Sequence, residues 1–346
     1  MRASSALATL AAWALLSGAA TGATENRTLT AISGITVGHM TLTERPTGCT
    51  VVLAAPAAVA GVDVRGAAPG TRETDLLSAI NTVDRVNAIV LAGGSAFGLD
   101  AASGTVRWLA ERGTGFETSV ARVPIVPSAI LFDLGVGDPN VRPDADCGYR
   151  AASGASAAPV TEGSVGAGAG ATVGKMRGMG RAMRGGVGSA AVAMPNGLIV
   201  AALVAVNAYG DVIDPATGTV IAGVRTEDGR ALADARRLLR DSPPAATRAA
   251  ENTTLAVVAT NARLTKPQAV KLAQMAQDGF ARAVSPVHTP ADGDTVFALA
   301  TSARTEPDDL LLVGALAADV TAEAILRAVR AATSLPGVPA LRDLGR

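Results

Sequence analysis

Residues 251–262 read ENTTLAVVATNA, a polar entry followed by an apolar run. The apolar part, residues 255–259, has the length of one buried strand and is too short for a helix. A polar turn that opens into a buried strand is the simplest interpretation of this stretch. A second interpretation is chemical: Thr253 would become a nucleophile with its own free amine if the chain were cut before it.

Outside this strand, short apolar runs alternate with segments of helical periodicity, a pattern typical of an α/β fold. Further strands are predicted at residues 50–54, 88–92, 189–194, 198–207 and 295–301. Helices are predicted at residues 75–83, 99–111, 150–158, from a cap at Thr265 with Pro267 in its first turn, and at 310–332 with an interruption near Val320.

The composition describes a chain that can bury a large core. Of 346 residues, 49% are hydrophobic and 17% are charged. The 30 basic and 30 acidic residues give no net charge, and without a basic run no nucleic-acid partner is predicted.

Residues 1–23 have the pattern of a signal peptide. Arg2 gives a short positive region, residues 6–16 are apolar, and small residues follow. We expect export to the periplasm or the medium, no membrane association after removal of this segment, and a fold that starts at residue 24.

The two cysteines, Cys49 and Cys147, leave their pairing open. An exported protein can join them in a disulfide, whereas the apolar surroundings of Cys49 also suit a buried free thiol. Two cysteines without nearby histidines make a poor metal site, so no metal is predicted.

Two glycine-rich motifs resemble known signatures without matching them. GGSAFG at residues 93–98 has the spacing of neither a dinucleotide fingerprint nor a nucleophile elbow, which favours a tight strand-to-helix turn. GAGATVGKM at residues 168–176 fails as a phosphate loop at Ala169 and Met176. It leaves Lys175 in a glycine-rich frame, either solvated or buried with a lowered pKa suited to proton transfer.

The segment HTPADGD at residues 288–294 places Asp292 and Asp294 two residues apart before a strand. They suit either a paired acid–base site or a polar turn. Neither His39 nor His288 lies in a recognisable Ser-His-Asp context. A hydroxyl nucleophile therefore needs another base, and the α-amino group of an N-terminal threonine, with a pKa of about 8, would supply it.

Several long segments resemble one family in the right order. They are residues 251–274, 286–301 (PVHTPADGDTVFALAT), 91–104 (LAGGSAFGLDAASG), 124–135 (PIVPSAILFDLG) and the GAGAGATVGK segment. Together they are similar to the DmpA-type L-aminopeptidase/D-esterase (β-peptidyl aminopeptidase) family, over residues 32–335. The Asn-Thr pair matches the endo-type 6-aminohexanoate-oligomer (nylon oligomer) hydrolases of this group, whereas the aminopeptidases are cut between Gly and Ser.

The resemblance implies an αββα sandwich like that of N-terminal-nucleophile hydrolases. It implies self-cleavage between Asn252 and Thr253 into an α chain, residues 24–252, and a β chain, residues 253–346. The implied product is a homo-oligomer of αβ units, such as a tetramer, without metal or cofactor. It would hydrolyse small peptides or ω-amino-acid amides through an acyl-enzyme.

Carried over residue by residue, the resemblance makes Thr253 the nucleophile and Lys175 the lysine of the G-K segment. Asn207 becomes the asparagine that supports the nucleophile or the oxyanion. The remaining assignments are Asp292 and Asp294 as the aspartate pair and Tyr149 as a pocket tyrosine. The alternative is an acyltransferase of the ornithine acetyltransferase type, which also exposes a threonine by self-cleavage; the signal peptide argues against it.

Overall fold

The structure is a computed structural model that describes residues 26–241 and 251–345; the predicted signal peptide, residues 1–23, lies outside this range. Its strands are β1 (Ile35–Thr41), β2 (Gly48–Val64), β3 (Thr71–Arg72), β4 (Arg85–Ala92), β5 (Phe116–Glu117), β6 (Arg122–Val123), β7 (Ser128–Ile130), β8 (Thr172–Val173), β9 (Met183–Arg184), β10 (Gly186–Ala193), β11 (Ile199–Asn207), β12 (Asp211–Ile213), β13 (Val220–Ala222), β14 (Thr253–Thr260), β15 (Val284–Ser285) and β16 (Thr295–Ala300). Its α-helices are α1 (Ala101–Ala110), α2 (Ala145–Ser153), α3 (Ala235–Asp241), α4 (Lys266–Ala283) and α5 (Leu310–Ala331).

The strand predicted after Thr253 is an interior strand of a nine-stranded sheet. The sheet order is β10-β11-β14-β16-β2-β4-β7-β3, with β1 also paired to β2. Strand β14 runs antiparallel to β11 and parallel to β16. Strand β2 is long enough to join two halves: its first part pairs with β1 and β4, and its last part pairs with β16.

The two halves of the sheet face each other across a buried core. Along β14, Leu255 and Val257 point into this core and belong to the same buried cluster as Ile89 of the other half. Alternate residues of the same strand, Ala256 and Val258, point outward and pack with α4 and α5. This alternation follows from the two-residue period of a strand.

Helices α1 and α2 cover the outer face of the other half-sheet, where Ala101 and Ala151 pack against Val51 and Val90. The layers are therefore helix, sheet, sheet and helix. The αββα sandwich that the resemblance implies is confirmed.

The predicted helix start at Thr265 is confirmed by a cap. The Thr265 hydroxyl accepts from the Gln268 backbone N–H, and the Gln268 side chain accepts from Thr265 N–H, forming a capping box at the start of α4.

In the described part of the chain, no helix is both long enough and apolar enough to cross a membrane.

Three helix predictions need correction. Residues 75–83 form only a short 3₁₀ turn, Asp75–Leu77, because Leu77 alone is buried there and residues 78–81 are exposed. Helix α2 starts at Ala145, since Asp144 caps it by accepting from Cys147 N–H at 3.0 Å. Helix α5 is continuous through Val320, which is buried against the core of the sandwich.

The structure pairs the two cysteines. Cys49 in β2 and Cys147 in α2 form a disulfide with a Cα–Cα distance of 6.2 Å. The bond ties a helix of the outer layer to the sheet beneath it, which settles the choice that the sequence left open.

Candidate active site

Thr253, the first residue of β14, lies beside the carbonyl group of the residue before it. Its side chain is buried, and its hydroxyl donates a hydrogen bond to the Asn252 carbonyl oxygen. The same oxygen accepts from the Gly293 backbone N–H at 2.9 Å. One carbonyl group is thus in contact with a hydroxyl and polarised by an amide donor.

Gly293 allows the loop before β16 to approach this hydroxyl. Asn252 forms a parallel bridge with Asp292, which brings the loop alongside. A Cβ atom on Gly293 would stand 2.8 Å from Thr253 Oγ1 and 2.5 Å from the Ala68 carbonyl oxygen. Only glycine has room here.

Asp294 holds the backbone next to the hydroxyl. One carboxylate oxygen accepts from the Thr254 N–H at 2.8 Å. The other accepts from the His288 backbone N–H at 3.1 Å and lies 2.9 Å from His288 Nδ1. The carboxylate therefore links β14 to the loop that precedes β16.

Asp292 is fixed by different partners. One of its oxygens accepts from the Tyr209 N–H at 3.3 Å, and the other accepts from both the backbone N–H and the hydroxyl of Thr289. Burial, and then the neighbouring charge of Asp294, raise the pKa of Asp292. The two carboxylates are thus in unequal environments.

Lys175 reaches the site from the glycine-rich segment. Its ammonium donates to Asn207 Oδ1 at 2.9 Å, to the Asn207 carbonyl at 3.2 Å and to the Glu251 carbonyl at 3.3 Å. Burial lowers the pKa of Lys175 from its ordinary 10.5 to about 7, although Asp292 and other acidic neighbours oppose this shift. Lys175 can therefore gain or lose a proton near neutral pH.

Asn207 has a fixed side-chain orientation. Its Nδ2 donates to the Phe132 carbonyl at 2.9 Å, and its Oδ1 accepts from Lys175 and from the Thr172 N–H, the latter at 3.0 Å. The oxygen therefore faces the lysine. In this uncut chain the backbone N–H that contacts the Asn252 carbonyl comes from Gly293, while the Asn207 amide nitrogen donates to Phe132.

A cavity of about 570 Å³ opens beside these groups. Its lining is mainly apolar, and it also includes Lys175, Glu251 and Asn252; the other lining residues are Phe132, Asp133, Leu134, Gly135, Val136, Thr172, Met176, Arg177, Gly178, Met179 and Tyr209. An extended chain leading to the Asn252 carbonyl therefore has room on its acyl side.

Tyr149 is the one predicted site residue that the structure does not bring to this cluster. It lies on α2, where its hydroxyl donates to Glu111 at 2.8 Å and the Arg107 guanidinium stands 4.5 Å from its ring centre. It does not line the cavity.

The sequence analysis missed a buried ion pair that shapes the cavity wall. Arg45 Nη2 lies 2.7 Å from an Asp133 carboxylate oxygen, and both side chains are fully buried. Arg45 also donates to the carbonyls of Val136 and Val141 at 2.6 and 2.8 Å, and Asp133 accepts from the Gly94 N–H at 2.8 Å. The GGSAFG turn thus supports the wall. Asp133 lies in a segment that carries the resemblance, whereas nothing local marks Arg45.

Potential metal ligands do not cluster in the described residues: no group of three or more His, Cys, Asp or Glu side chains is arranged to hold an ion.

Comparison with known proteins decides the family. The model of peptidase family S58 matches residues 27–341. The chain belongs to peptidase family S58. It is therefore a hydrolase that acts on amide bonds.

Relatives of this S58 peptidase carry two kinds of name. An uncharacterized aminopeptidase of Mycobacterium tuberculosis is 42% identical, over 91% of this chain and 97% of the relative. A 6-aminohexanoate-oligomer endohydrolase of a Kocuria species is 30% identical, over 86% of this chain and 84% of the relative.

Solved structures share the fold of this S58 peptidase. The L-aminopeptidase D-Ala-esterase/amidase of Ochrobactrum anthropi, described as a variant of the Ntn-hydrolase fold, has a TM-score of 0.67 at 20% identity, covering 90% of this chain and 89% of that one. A Burkholderia β-aminopeptidase has a TM-score of 0.65 at 23% identity, with coverages of 93% and 95%.

Proposed function

We propose that this S58 peptidase cuts its own chain between Asn252 and Thr253 and then uses Thr253 to hydrolyse amide substrates. The observation that carries the proposal is the contact between the Thr253 hydroxyl and the Asn252 carbonyl, which also accepts from Gly293 N–H. A nucleophile, an electrophile and an amide donor already meet in the uncut chain.

The self-cleavage is an N→O acyl shift followed by hydrolysis. The Thr253 oxygen adds to the Asn252 carbonyl carbon, and the developing negative charge on the carbonyl oxygen lies against Gly293 N–H. The hydroxyl proton of Thr253 passes to the Thr253 nitrogen as the C–N bond breaks, giving an ester on the Thr253 side chain and a free Thr253 amine. Water then hydrolyses the ester, leaving an Asn252 carboxylate and the free hydroxyl. One oriented oxyanion donor typically contributes ~10²–10³ in rate.

The same hydroxyl then serves in catalysis. The new α-amino group of Thr253 accepts the hydroxyl proton, and the oxygen attacks the substrate amide to form an acyl-enzyme. The proton passes to the leaving amine, and water releases the acyl group. Lys175, with a pKa of about 7, stabilises the neighbouring oxygens in its charged form and exchanges protons near neutral pH.

The proposed substrates are small peptides or ω-amino-acid amides. The names of the relatives, aminopeptidase and 6-aminohexanoate-oligomer endohydrolase, support this class. We also propose export through residues 1–23, which the disulfide between Cys49 and Cys147 supports because such bonds persist in oxidising compartments. Assembly of αβ units into a homo-oligomer remains part of the proposal.

Intact-mass measurement of the purified protein tests the processing step. We expect a β chain that begins TTLAVVATNA and contains the 94 residues 253–346. Amide hydrolysis is followed with p-nitroanilides, β-peptides and 6-aminohexanoate oligomers, and acetyl transfer to ornithine is assayed in parallel. An active preparation with an uncut chain would exclude the processing step, and acetyl transfer without hydrolysis would favour the acyltransferase.

A further inference from the structure

Asn252, the residue before the proposed cut, is held at two points by one short loop. Its backbone carbonyl accepts from the Gly293 N–H at 2.9 Å, and its side-chain Nδ2 donates to the Ala291 carbonyl at 3.3 Å. Between these two contacts, Asn252 and Asp292 are partners in a parallel bridge. The side chain of Asn252 therefore helps to hold the same carbonyl group that the Thr253 hydroxyl contacts.

The loop of residues 291–293 is also bonded on its other edge. The Asp292 carbonyl accepts from the Ala68 N–H at 2.9 Å, and the Asp294 carbonyl accepts from the Arg65 N–H at 3.0 Å. A loop that is hydrogen-bonded on both edges keeps its own donors and acceptors at a fixed spacing. The 291–293 loop is therefore a preformed subsite for the residue on the acyl side of the cut.

This subsite uses only the donor of the Asn252 side chain. Asn252 is 3% exposed, and its Oδ1 makes no hydrogen bond among the described residues. Because the Ala291 carbonyl can only accept, it requires an N–H or O–H at this position of the acyl-side residue. An ionised carboxylate has the shape of the asparagine side chain but can only accept, so it cannot make this contact.

Charged groups surround the subsite. Those that line the cavity or contact the residues at the cut are Asp133, Lys175, Arg177, Glu251, Asp292 and Asp294, with His288 beside Asp294. Bridge partners carry their side chains on the same face of the backbone, so residue 252 shares a face with Asp292.

These surroundings predict how a carboxyl at position 252 would titrate. Burial and the Asp292 charge would raise the pKa of the carboxyl in Asn252→Asp, whereas the two cations would oppose that shift. Burial outweighs charge at the neighbouring Lys175, whose pKa falls to about 7 although four acids oppose the change. We therefore expect the net shift in Asn252→Asp to be upward.

We propose that the 291–293 loop is a subsite that selects asparagine on the acyl side of the cleaved bond, in self-cleavage and in later substrates. This inference rests on the proposed function and names the acyl residue that the site prefers. In self-cleavage Asn252 is a positioning residue, since its amide aligns the scissile carbonyl with the Gly293 N–H and does not itself react. In a substrate, an asparaginyl group would donate to the Ala291 carbonyl in the same way.

Two variants with a side chain of similar shape test the donor in self-cleavage. Freshly synthesised chains are transferred to buffers between about pH 8 and about pH 5, and cleavage is followed by intact mass. Asn252→Leu should be cut about threefold to tenfold more slowly than wild type, the range for one hydrogen bond. Asn252→Asp should be at least as slow at the alkaline end. It should gain on Asn252→Leu as the pH falls, because its protonated carboxyl can donate to Ala291.

The ratio of the two variant rates at each pH cancels the titration of the groups that both variants share. Recovery of Asn252→Asp at lower pH would also show that this variant folds. A ratio that stays constant across the pH range would overturn the role of the donor.

Asparagine and leucine p-nitroanilides extend the test to cut wild-type enzyme. Both substrates carry a free amine, so they differ only in the side chain that would meet the Ala291 carbonyl. We expect kcat/KM to be about threefold to tenfold higher for the asparagine substrate. An equal or higher value for the leucine substrate would overturn the selection of substrates.

The same mass measurements keep this inference distinct from the proposed function. Wild-type chain that is cut at the same rate as both variants at every pH would overturn the subsite and leave the proposed function in place. Wild-type chain that stays uncut while hydrolysing amides would overturn the proposed processing and this inference with it.

Discussion

Asn207 and Thr253 are direct partners across the antiparallel pair of β11 and β14, so the last residue of one strand faces the first residue of the other. Through its side chain Asn207 also holds Lys175 at 2.9 Å. The pairing brings the proposed nucleophile and a lysine from a separate loop to one end of the sheet.

Replacing Asn207 should therefore damage processing and stability together. Asn207→Ala leaves the Lys175 ammonium and the Thr172 N–H without this acceptor. We expect self-cleavage to slow by about tenfold or more. In an uncut Thr253→Ala background, the free energy of unfolding should fall by about 1–3 kcal/mol.

Asn261, at the other end of β14, provides the matched control. Its side chain also makes two backbone hydrogen bonds, to Ile199 and Gly197, both at 2.9 Å. Asn261→Ala should lower stability in urea titration and leave the cleavage rate unchanged. Equal loss of cleavage in both variants would assign Asn207 a purely structural role.

Thr253→Ala should abolish both processing and hydrolysis, because both reactions use its hydroxyl oxygen. Thr253→Ser should keep part of each, since serine retains the oxygen but lacks the methyl group that restricts χ1. Gel electrophoresis and an amide assay report the two reactions separately.

Thr254→Ala tests the register of this assignment. Successive strand residues point to opposite faces, and within the described residues the buried Thr254 hydroxyl has no hydrogen-bond partner. Cleavage and activity should persist in this variant. Loss of cleavage in Thr254→Ala, with Thr253→Ala still cut, would mean that the nucleophile is the wrong threonine.

His288→Ala should slow processing by about tenfold, because Asp294 loses the ring contact at 2.9 Å that orients one of its oxygens. His288→Asn should recover much of the rate, since its amide nitrogen can donate in the place of Nδ1 and asparagine tolerates the positive φ of 55°. His39→Ala is the control: His39 lies 2.9 Å from Thr50, and the variant should be processed normally. Identical rates for the two His288 variants would contradict the positioning role.

Lys175 should make stability depend on pH in a defined direction. Burial lowers its pKa from 10.5 to about 7 in the folded state. Below about pH 7 Lys175 is protonated in both the folded and the unfolded state, so the buried charge lowers the free energy of unfolding by its full amount. Between about 7 and 10.5 only the unfolded state binds it, so the free energy of unfolding rises with pH. Urea titrations of Thr253→Ala should show a steeper rise across this window than Thr253→Ala/Lys175→Met; matching slopes would exclude a buried lysine.

The disulfide should support stability without taking part in the chemistry. It closes a loop with a sequence separation of 98 residues, for which the chain-entropy model gives ~4–5 kcal/mol. The Cys49→Ala/Cys147→Ala variant should unfold at lower urea concentration and still cut itself, since neither cysteine lines the cavity. If the folded variant did not cut itself, the disulfide would contribute to the cleavage reaction as well as to stability.

Local sequence determined the elements that carry the site. The apolar run after Thr253 predicted β14, because the length and the apolar side chains of the run are typical of a buried strand. No knowledge of tertiary contacts was needed for this prediction. Thr265 and Gln268 specified the start of α4 through a cap made within one turn. Prediction failed at residues 75–83, where helical periodicity was not matched by burial: a helix face is stable only if another element covers it.

The sequence also supplied the candidate residues Thr253, Lys175, Asn207, Asp292 and Asp294, through glycine-rich context, paired carboxylates and the family resemblance. Only the tertiary structure decided how they meet. Three features depend on contacts between residues that are distant in the chain. They are the hydrogen bond from Gly293 to the Asn252 carbonyl, the Arg45–Asp133 ion pair, and the position of Tyr149 outside the cavity. The periodicity of a sequence encodes which face of an element is buried, whereas the atoms that touch across two layers are fixed by packing, and packing has no local signature.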